Sequence, residues 1–102
     1  MPVRQINPTR SSDHQALVRD LVAEWTKPSG SPEPVILEEL DRKRKLAHVY
    51  VVWTKWSDID RVERSEIIMD AAEKRLSAQD VLNITIAMGL TPDEARQMGL
   101  AV

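Results

Sequence analysis

The stretch that decides the fold is His48-Val49-Tyr50-Val51-Val52-Trp53-Thr54-Lys55-Trp56. Its β-branched and aromatic residues make it the strongest strand signal in the chain. Shortly after it, Asp60 precedes Glu63 by three positions, which is the spacing of a helix capping box. A strand that leads so directly into a helix predicts a domain of the α+β class.

The composition is that of an ordinary globular protein. The chain has 102 residues, a length typical of one domain, and it contains no cysteine. Its formal net charge of −2 argues mildly against sequence-independent binding of nucleic acid, which depends on Lys and Arg. We find neither a signal-peptide core nor the roughly 20 apolar residues of a membrane span. The sequence therefore predicts a soluble, cytoplasmic protein.

Hydrophobic periodicity and turn residues predict the order helix, strand, strand, helix, strand, short helix. The predicted segments of the N-terminal half are an extended arm over residues 1–10, a helix over 12–26, a Pro/Gly/Ser-rich loop over 28–34, and strands over 35–40 and 46–55. The arm precedes a single domain over residues 11–102. Because only a short polar connection joins the two strands, we expect them to form an antiparallel hairpin.

The C-terminal half predicts a helix, a strand and a second, short helix. The helix that begins after Asp60 has its predicted apolar stripe at Val62, Ile68, Met69, Ala72 and Leu76, with charged residues, including Glu63 and Arg64, on its outer side. Residues 81–88 fit either a helix or a strand, and their alternation of apolar and polar side chains favours the strand. Thr91-Pro92-Asp93-Glu94 is a helix start, and Gly99 is a helix stop.

These elements together predict a two-layer α-β-β-α-β-α domain with a three-stranded, mixed sheet and the helices packed on one face. Side chains alternate along the long strand. The set expected to face the helices is Ala47, Val49, Val51 and Trp53. The set expected on the open face is His48, Tyr50, Val52 and Thr54, joined by Asn83 and Thr85 from the third strand.

Three short motifs resemble the BolA-like family, whose fold is related to one class of KH domain. They are the strand His48-Val49-Tyr50-Val51-Val52, the helix start Val62-Glu63-Arg64, and Thr91-Pro92-Asp93-Glu94 after the last strand. The resemblance covers roughly residues 35–95. It implies a KH-related fold and a non-enzymatic, regulatory protein that works through a protein partner.

The family's iron–sulfur ligands have no counterpart in this chain. The resemblance implies a His just before the last strand, where this chain has Leu82 and Asn83, and a His or Cys in the first hairpin loop, which here is Asp41 to Lys45. Ser65 and Glu66 replace the His-Arg pair that follows Val-Glu-Arg in the family. The resemblance therefore supports the fold more than the iron–sulfur activity, and we expect no cofactor.

The preferred site is a protein-contact surface at the end of the long strand. If this strand stays regular, Trp53 and Trp56 lie on opposite faces, so one of the two remains partly exposed. Exposed aromatic and apolar side chains mark protein contacts. The residues predicted to make this contact are Tyr50, Val52, Thr54 and Trp56. The predicted partner is another protein or a second copy of the chain.

The alternative function is KH-like binding of nucleic acid through the basic hairpin turn. The residues of this turn are Arg42, Lys43, Arg44 and Lys45. A KH domain also carries a Gly-x-x-Gly loop, and the three glycines of this chain are not so spaced. The only histidines are His14 and His48, which do not form a metal-ligand pattern, and no nucleophile stands beside a base. We therefore predict neither a metal site nor an enzyme.

Overall fold

The computed structural model describes residues 13–41 and 46–100. Its helices and strands, in chain order, are α1 (His14–Thr26), β1 (Val35–Asp41), β2 (Leu46–Val52), α2 (Arg61–Arg75), α3 (Ala78–Leu82), β3 (Ile84–Leu90) and α4 (Pro92–Gln97), with a 3₁₀ turn over Thr54–Asp58. The predicted α+β class is confirmed, and α3 is the one helix that the sequence did not predict. The arm at residues 1–10 and residue 12, at which the first helix is predicted to begin, lie outside the described residues.

The three strands form one sheet with β2 in the centre. β1 pairs with β2 antiparallel, as the hairpin prediction requires, and β3 pairs with β2 in parallel. The ambiguous segment at residues 81–88 is thus divided, since α3 ends at Leu82 and the strand begins at Ile84. The backbone N–H of Ala47 donates to the carbonyl of Asn83 at 2.9 Å, which ties the start of β3 to β2.

The main core lies between one face of the sheet and the helices α1 and α2. The sheet contributes Val49 and Val51, which are buried as their alternation predicts. The largest buried side chains from the helices are Leu17, Val18, Leu21, Ile67 and Ile68. The apolar side chains of α1, from Leu17 to Trp25, therefore meet α2 and the sheet.

The long strand ends at Val52, and the prediction that it continues to residue 55 is wrong. After Trp53 the chain turns into the 3₁₀ turn, and Trp56 becomes fully buried at 0% exposure. Its indole Nε1–H donates to the carbonyl of Val51 at 2.9 Å, and its ring meets that of Trp53 edge to face at 5.2 Å. The turn places both tryptophans in the same core, where a regular strand would have separated them.

The buried face of α2 is rotated from the predicted stripe. Val62 is 65% exposed, whereas Glu63 and Arg64 are each only 6% exposed. The buried positions are Glu63, Arg64, Ile67, Ile68, Ala71 and Ala72. The spacing is still helical, but charged residues hold two of the six positions. They are tolerated there because each makes hydrogen bonds within the fold.

Candidate functional site

The second face of the sheet, which we call the open face, lies opposite α1 and α2. The alternation and register of the strands place on it Val35, Leu37 and Glu39 of β1, His48, Tyr50 and Val52 of β2, and Ile86, Met88 and Leu90 of β3. Most of these side chains are apolar. The face therefore holds a second, smaller set of apolar contacts that is separate from the main core.

The helix α4 covers one end of the open face. Val52, Leu90 and Ala95 form a buried cluster there, with exposures of 2%, 0% and 0%. A capping box between Thr91 and Glu94 begins the helix, as the sequence predicts. Val52 is consequently a core residue, and the prediction that it lies exposed at a contact surface is wrong.

The remainder of the open face is only partly covered. Leu37, Tyr50 and Met88 lie side by side across the three strands and are half-buried. In the next row, the Nδ1 of His48 is 3.9 Å from Oε1 of Glu39, and the His48 ring meets that of Tyr50 edge to face at 6.4 Å. Tyr50 thus lies on the open face, as predicted.

Two other residues predicted for this face do not lie on it. The β2–β3 register shifts between Ala47 and His48, so that Thr85 falls at an irregularity and its hydroxyl donates to the Ala47 carbonyl at 3.4 Å. Asn83 lies before the strand. This shift turns Ile86 and Met88 toward the open face and Ala87 toward the helices. The open face is therefore more apolar than its sequence pattern predicts.

The remaining predicted contact residues, Thr54 and Trp56, differ in exposure. Thr54 is exposed, and its hydroxyl donates to Oε2 of Glu33 at 2.7 Å. Trp56 is inside the core and cannot contact a partner, so its prediction as a contact residue is wrong. The basic turn Arg42, Lys43, Arg44 and Lys45 lies outside the described residues.

A cleft of about 330 Å³ adjoins the covered end of the open face. Its lining residues are Pro32, Glu33, Val35, Val52, Pro92 and Arg96. Val35 and Val52 belong to both the cleft and the open face, so the two surfaces are continuous. The cleft has an apolar floor with one carboxylate and one guanidinium among its lining groups.

Arg64 holds α4 in place and was missed by the sequence analysis. Its Nε donates to the carbonyl of Ile59 at 2.7 Å, and its Nη1 donates to the carbonyl of Gly89 at 3.3 Å and to Oε1 of Glu94 at 2.8 Å. A Cβ at Gly89 would lie 2.8 Å from the Cβ of Arg64 and 3.0 Å from Cε2 of Trp56, so this position requires glycine. No local sequence pattern distinguishes Arg64 from a solvent-exposed helix residue.

The edge of the sheet at β3 is closed by α2. The Leu90 carbonyl bonds to the backbone of Trp53, on the β2 side, so the carbonyls of Ala87 and Gly89 point away from β2. The hydroxyl of Ser65 donates to the Ala87 carbonyl at 2.7 Å, and Arg64 donates to that of Gly89. These bonds block the addition of another strand at this edge.

The surroundings of Glu94 strongly displace its pKa. The backbone N–H of Thr91 donates to its Oε1 at 2.8 Å, and this bond, together with Arg64 and the Thr91 hydroxyl, lowers the pKa of Glu94 from 4.5 to about 2. The carboxylate is therefore more stable in the folded protein than in the unfolded chain. Its ionisation stabilises the fold above about pH 4.5, and this contribution is lost as the pH falls toward 2.

We expect the Glu94→Gln variant to be less stable than the wild type at neutral pH and to lose less stability between pH 4.5 and 2. The amide cannot take up the proton that the carboxylate binds on unfolding. Urea denaturation at a series of pH values measures this difference. Glu73→Gln, at an exposed position of α2, is the matched control and should follow the wild-type curve. Parallel curves for the wild type and Glu94→Gln would contradict the prediction.

Two kinds of site are absent from the part of the chain that the structure describes. In residues 13–41 and 46–100, no group of three or more His, Asp or Glu side chains is arranged to hold a metal ion. Within the same residues, no helix is both long enough and apolar enough to cross a membrane.

Comparisons of the chain with protein-family models, with curated proteins and with solved structures give no match. The resemblance to the BolA-like family stays a prediction from the three sequence motifs. The site must consequently be interpreted from its own residues.

Proposed function

We propose that the protein is a small, non-enzymatic binding module that acts through protein–protein contact on the open face, and that its partner is a second copy of the chain. The observation that carries the proposal is the half-buried row of Leu37, Tyr50 and Met88, which extends the buried cluster beneath α4. Apolar side chains that continue a buried cluster stabilise a protein further when a partner covers them.

The charges at the two ends of the open face support a symmetric partner. Glu39, 72% exposed in its side chain, lies at the end nearest the hairpin turn, and Arg96, 65% exposed, lies at the α4 end, where it also pairs with Asp93 of the same helix. A two-fold axis across the strands brings the α4 end of one copy against the hairpin end of the other. In that arrangement each Arg96 approaches the Glu39 of the partner, while α4 packs beside the uncovered apolar row.

A contact of standard size would use only a small part of the surface of this chain. A standard interface removes about 800 Å² from each partner, which is roughly a tenth of the 7249 Å² surface of this chain. The uncovered row and the cleft supply a small apolar centre, and the charged ends supply the rim. The net charge of −2 per chain leaves little overall repulsion between two copies. We therefore expect the dimer to dissociate on dilution.

We expect sedimentation equilibrium to give a dimer of twice the 11.6 kDa chain mass at high concentration. Tyr50→Lys places a charge at the centre of the apolar row and should yield a monomer. Val62→Lys and Leu82→Lys are the matched controls, because both residues are exposed and apolar but lie away from the open face. Circular dichroism would verify that each variant remains folded.

A charge exchange tests the arrangement of the two copies without disturbing the core. Glu39→Arg and Arg96→Glu should each weaken the dimer, and the double variant should recover much of the affinity. A wild-type monomer at every concentration contradicts the proposal. A dimer that Val62→Lys or Leu82→Lys disrupts, but Tyr50→Lys leaves intact, also contradicts it.

A regulatory role, a BolA-like relationship and a cytoplasmic location stay predictions from the sequence. So does the alternative function, in which the basic turn binds nucleic acid. That function predicts an affinity that falls steeply with salt concentration, whereas contact through a mainly apolar face predicts a weak dependence on salt.

A further inference from the structure

His14 is buried at the N-terminal end of α1, with an exposure of 3%. It is one of two histidines in the chain, and the proposed function does not use it. A buried imidazole requires hydrogen-bond partners, because an unpartnered polar group inside a protein is destabilising. Both ring nitrogens of His14 have such partners on α2.

The two partners are carboxylates. The Nδ1 of His14 is 2.8 Å from Oε2 of Glu63, and its Nε2 is 2.9 Å from Oδ2 of Asp70. Glu63 and Asp70 are two turns apart on α2 and so lie on the same face of the helix. When both carboxylates are ionised they can only accept hydrogen bonds, so both ring nitrogens then donate. The geometry therefore fits the doubly protonated, positively charged imidazolium.

We propose that His14 is a pH-sensitive latch that holds the start of α1 against α2. Loss of one ring proton as the pH rises leaves a nitrogen lone pair facing a carboxylate oxygen, so one bond is lost and the attraction to the other carboxylate weakens. The attachment is then strongest while the ring is protonated and both carboxylates are ionised. It weakens when the pH rises through the titration of the ring.

The middle and the far end of α1 are held by contacts that do not involve a histidine. Lys55 Nζ in the 3₁₀ turn is 3.4 Å from Oδ2 of Asp20, and Trp25 Nε1–H donates to Oε1 of Glu38 on β1 at 2.5 Å. The buried Leu21 also stays packed in the core. Opening of the latch leaves the first turns of α1 held mainly by the buried Leu17 and Val18, so these turns loosen more than the C-terminal half.

Charges near the ring have opposing effects. The carboxylates of Glu63 and Asp70 on α2 favour the imidazolium, and Asp13 immediately before α1 adds a further negative charge nearby. The positive end of the α1 dipole disfavours it, because His14 is the first residue of that helix. The two short, direct bonds outweigh the dipole, whose effect at a helix end is smaller than that of a buried ion pair.

Nitrogen-15 NMR of the His14 ring tests its protonation state. We expect the folded protein to keep both ring N–H groups of His14 to a higher pH than the urea-unfolded chain does. Asp70→Asn removes one charge from a partly exposed position and should lower the pH at which the ring loses its proton. Loss of the ring proton at the same pH in the folded and the unfolded protein would overturn the proposal.

Amide hydrogen exchange tests the effect on α1. Protection of its first turns should fall by roughly tenfold or more, relative to β2, as His14 loses its proton, after correction for the intrinsic rates. His14→Gln should show the lower protection at every pH. Protection in α1 that follows β2 throughout the titration would overturn the latch. The same exchange measurement on the Tyr50→Lys variant, which should be a monomer, separates the effect of the latch from any effect of dimerisation.

Discussion

Replacing Trp56 with alanine should destabilise the protein by about 3 to 5 kcal/mol, which is the usual range for a fully buried aromatic residue. Trp56 has 0% exposure and is the largest of the fully buried side chains. Its removal leaves a cavity between Trp53 and α2 and leaves the Val51 carbonyl without the indole donor. For a domain of this size, the expected fall in the melting temperature is roughly 12 °C or more.

Trp56→Phe separates the contribution of the buried ring from that of the indole hydrogen bond. Phenylalanine fills much of the cavity but cannot donate to the Val51 carbonyl, so this variant should lose less stability than Trp56→Ala. Chemical denaturation of both variants measures the difference. The result also distinguishes a core role of Trp56 from a contact role. Replacing a contact residue would weaken the association of two copies with little change in the stability of each. Unchanged stability in Trp56→Ala would show that its burial contributes little.

Replacing Arg64 with alanine should cost about 3 kcal/mol, because several buried groups lose their donor at once. The carbonyls of Ile59 and Gly89 lose bonds to the guanidinium, and Glu94 loses its buried cation. Glu94 is partly exposed, so water can solvate the carboxylate and moderate the loss. We expect α4 to loosen from the open face, because Arg64 joins α2 and β3 to this helix.

Arg64→Lys and Arg61→Ala are the matched variants. Lysine keeps the charge but cannot bond to all three groups in the fixed geometry of the guanidinium, so it should recover only part of the stability. Arg61 also contacts Glu94, at 3.2 Å, but its side chain is 72% exposed, and its removal should cost little. Equal losses in Arg61→Ala and Arg64→Ala would contradict the buried role of Arg64. Denaturation and hydrogen exchange in α4 measure both effects.

The two proposals concern opposite sides of the molecule. The open face carries the proposed contact between two copies, while the His14 latch lies between the helices on the other face of the sheet. Central strand β2 separates them, with Val49 and Val51 on the helix side and Tyr50 on the open side. Tyr50→Lys and His14→Gln therefore alter opposite faces of the sheet, which makes the two sets of experiments separable.

Local patterns were sufficient for the order of the elements other than α3, for the hairpin and for the helix start at Thr91. They succeeded because strand alternation and capping depend on residues close together in the chain: Val49 and Val51 face the core as predicted, and Thr91 accepts from the backbone N–H of Glu94. The strand interpretation of the segment around Ile86 is confirmed for the same reason.

Contacts between distant segments decided which side chains are buried and which lie on the open face. Trp56 is buried because the turn after Trp53 brings its indole to Val51, and Arg64 is buried because it bonds to Gly89, 25 residues away. A shift in strand pairing beside His48 turned Ile86 and Met88 onto the open face. In each case the environment of a side chain depends on segments that meet only after folding. A pattern of neighbouring residues could therefore predict the helices and strands, but not which of their charged and aromatic side chains are buried.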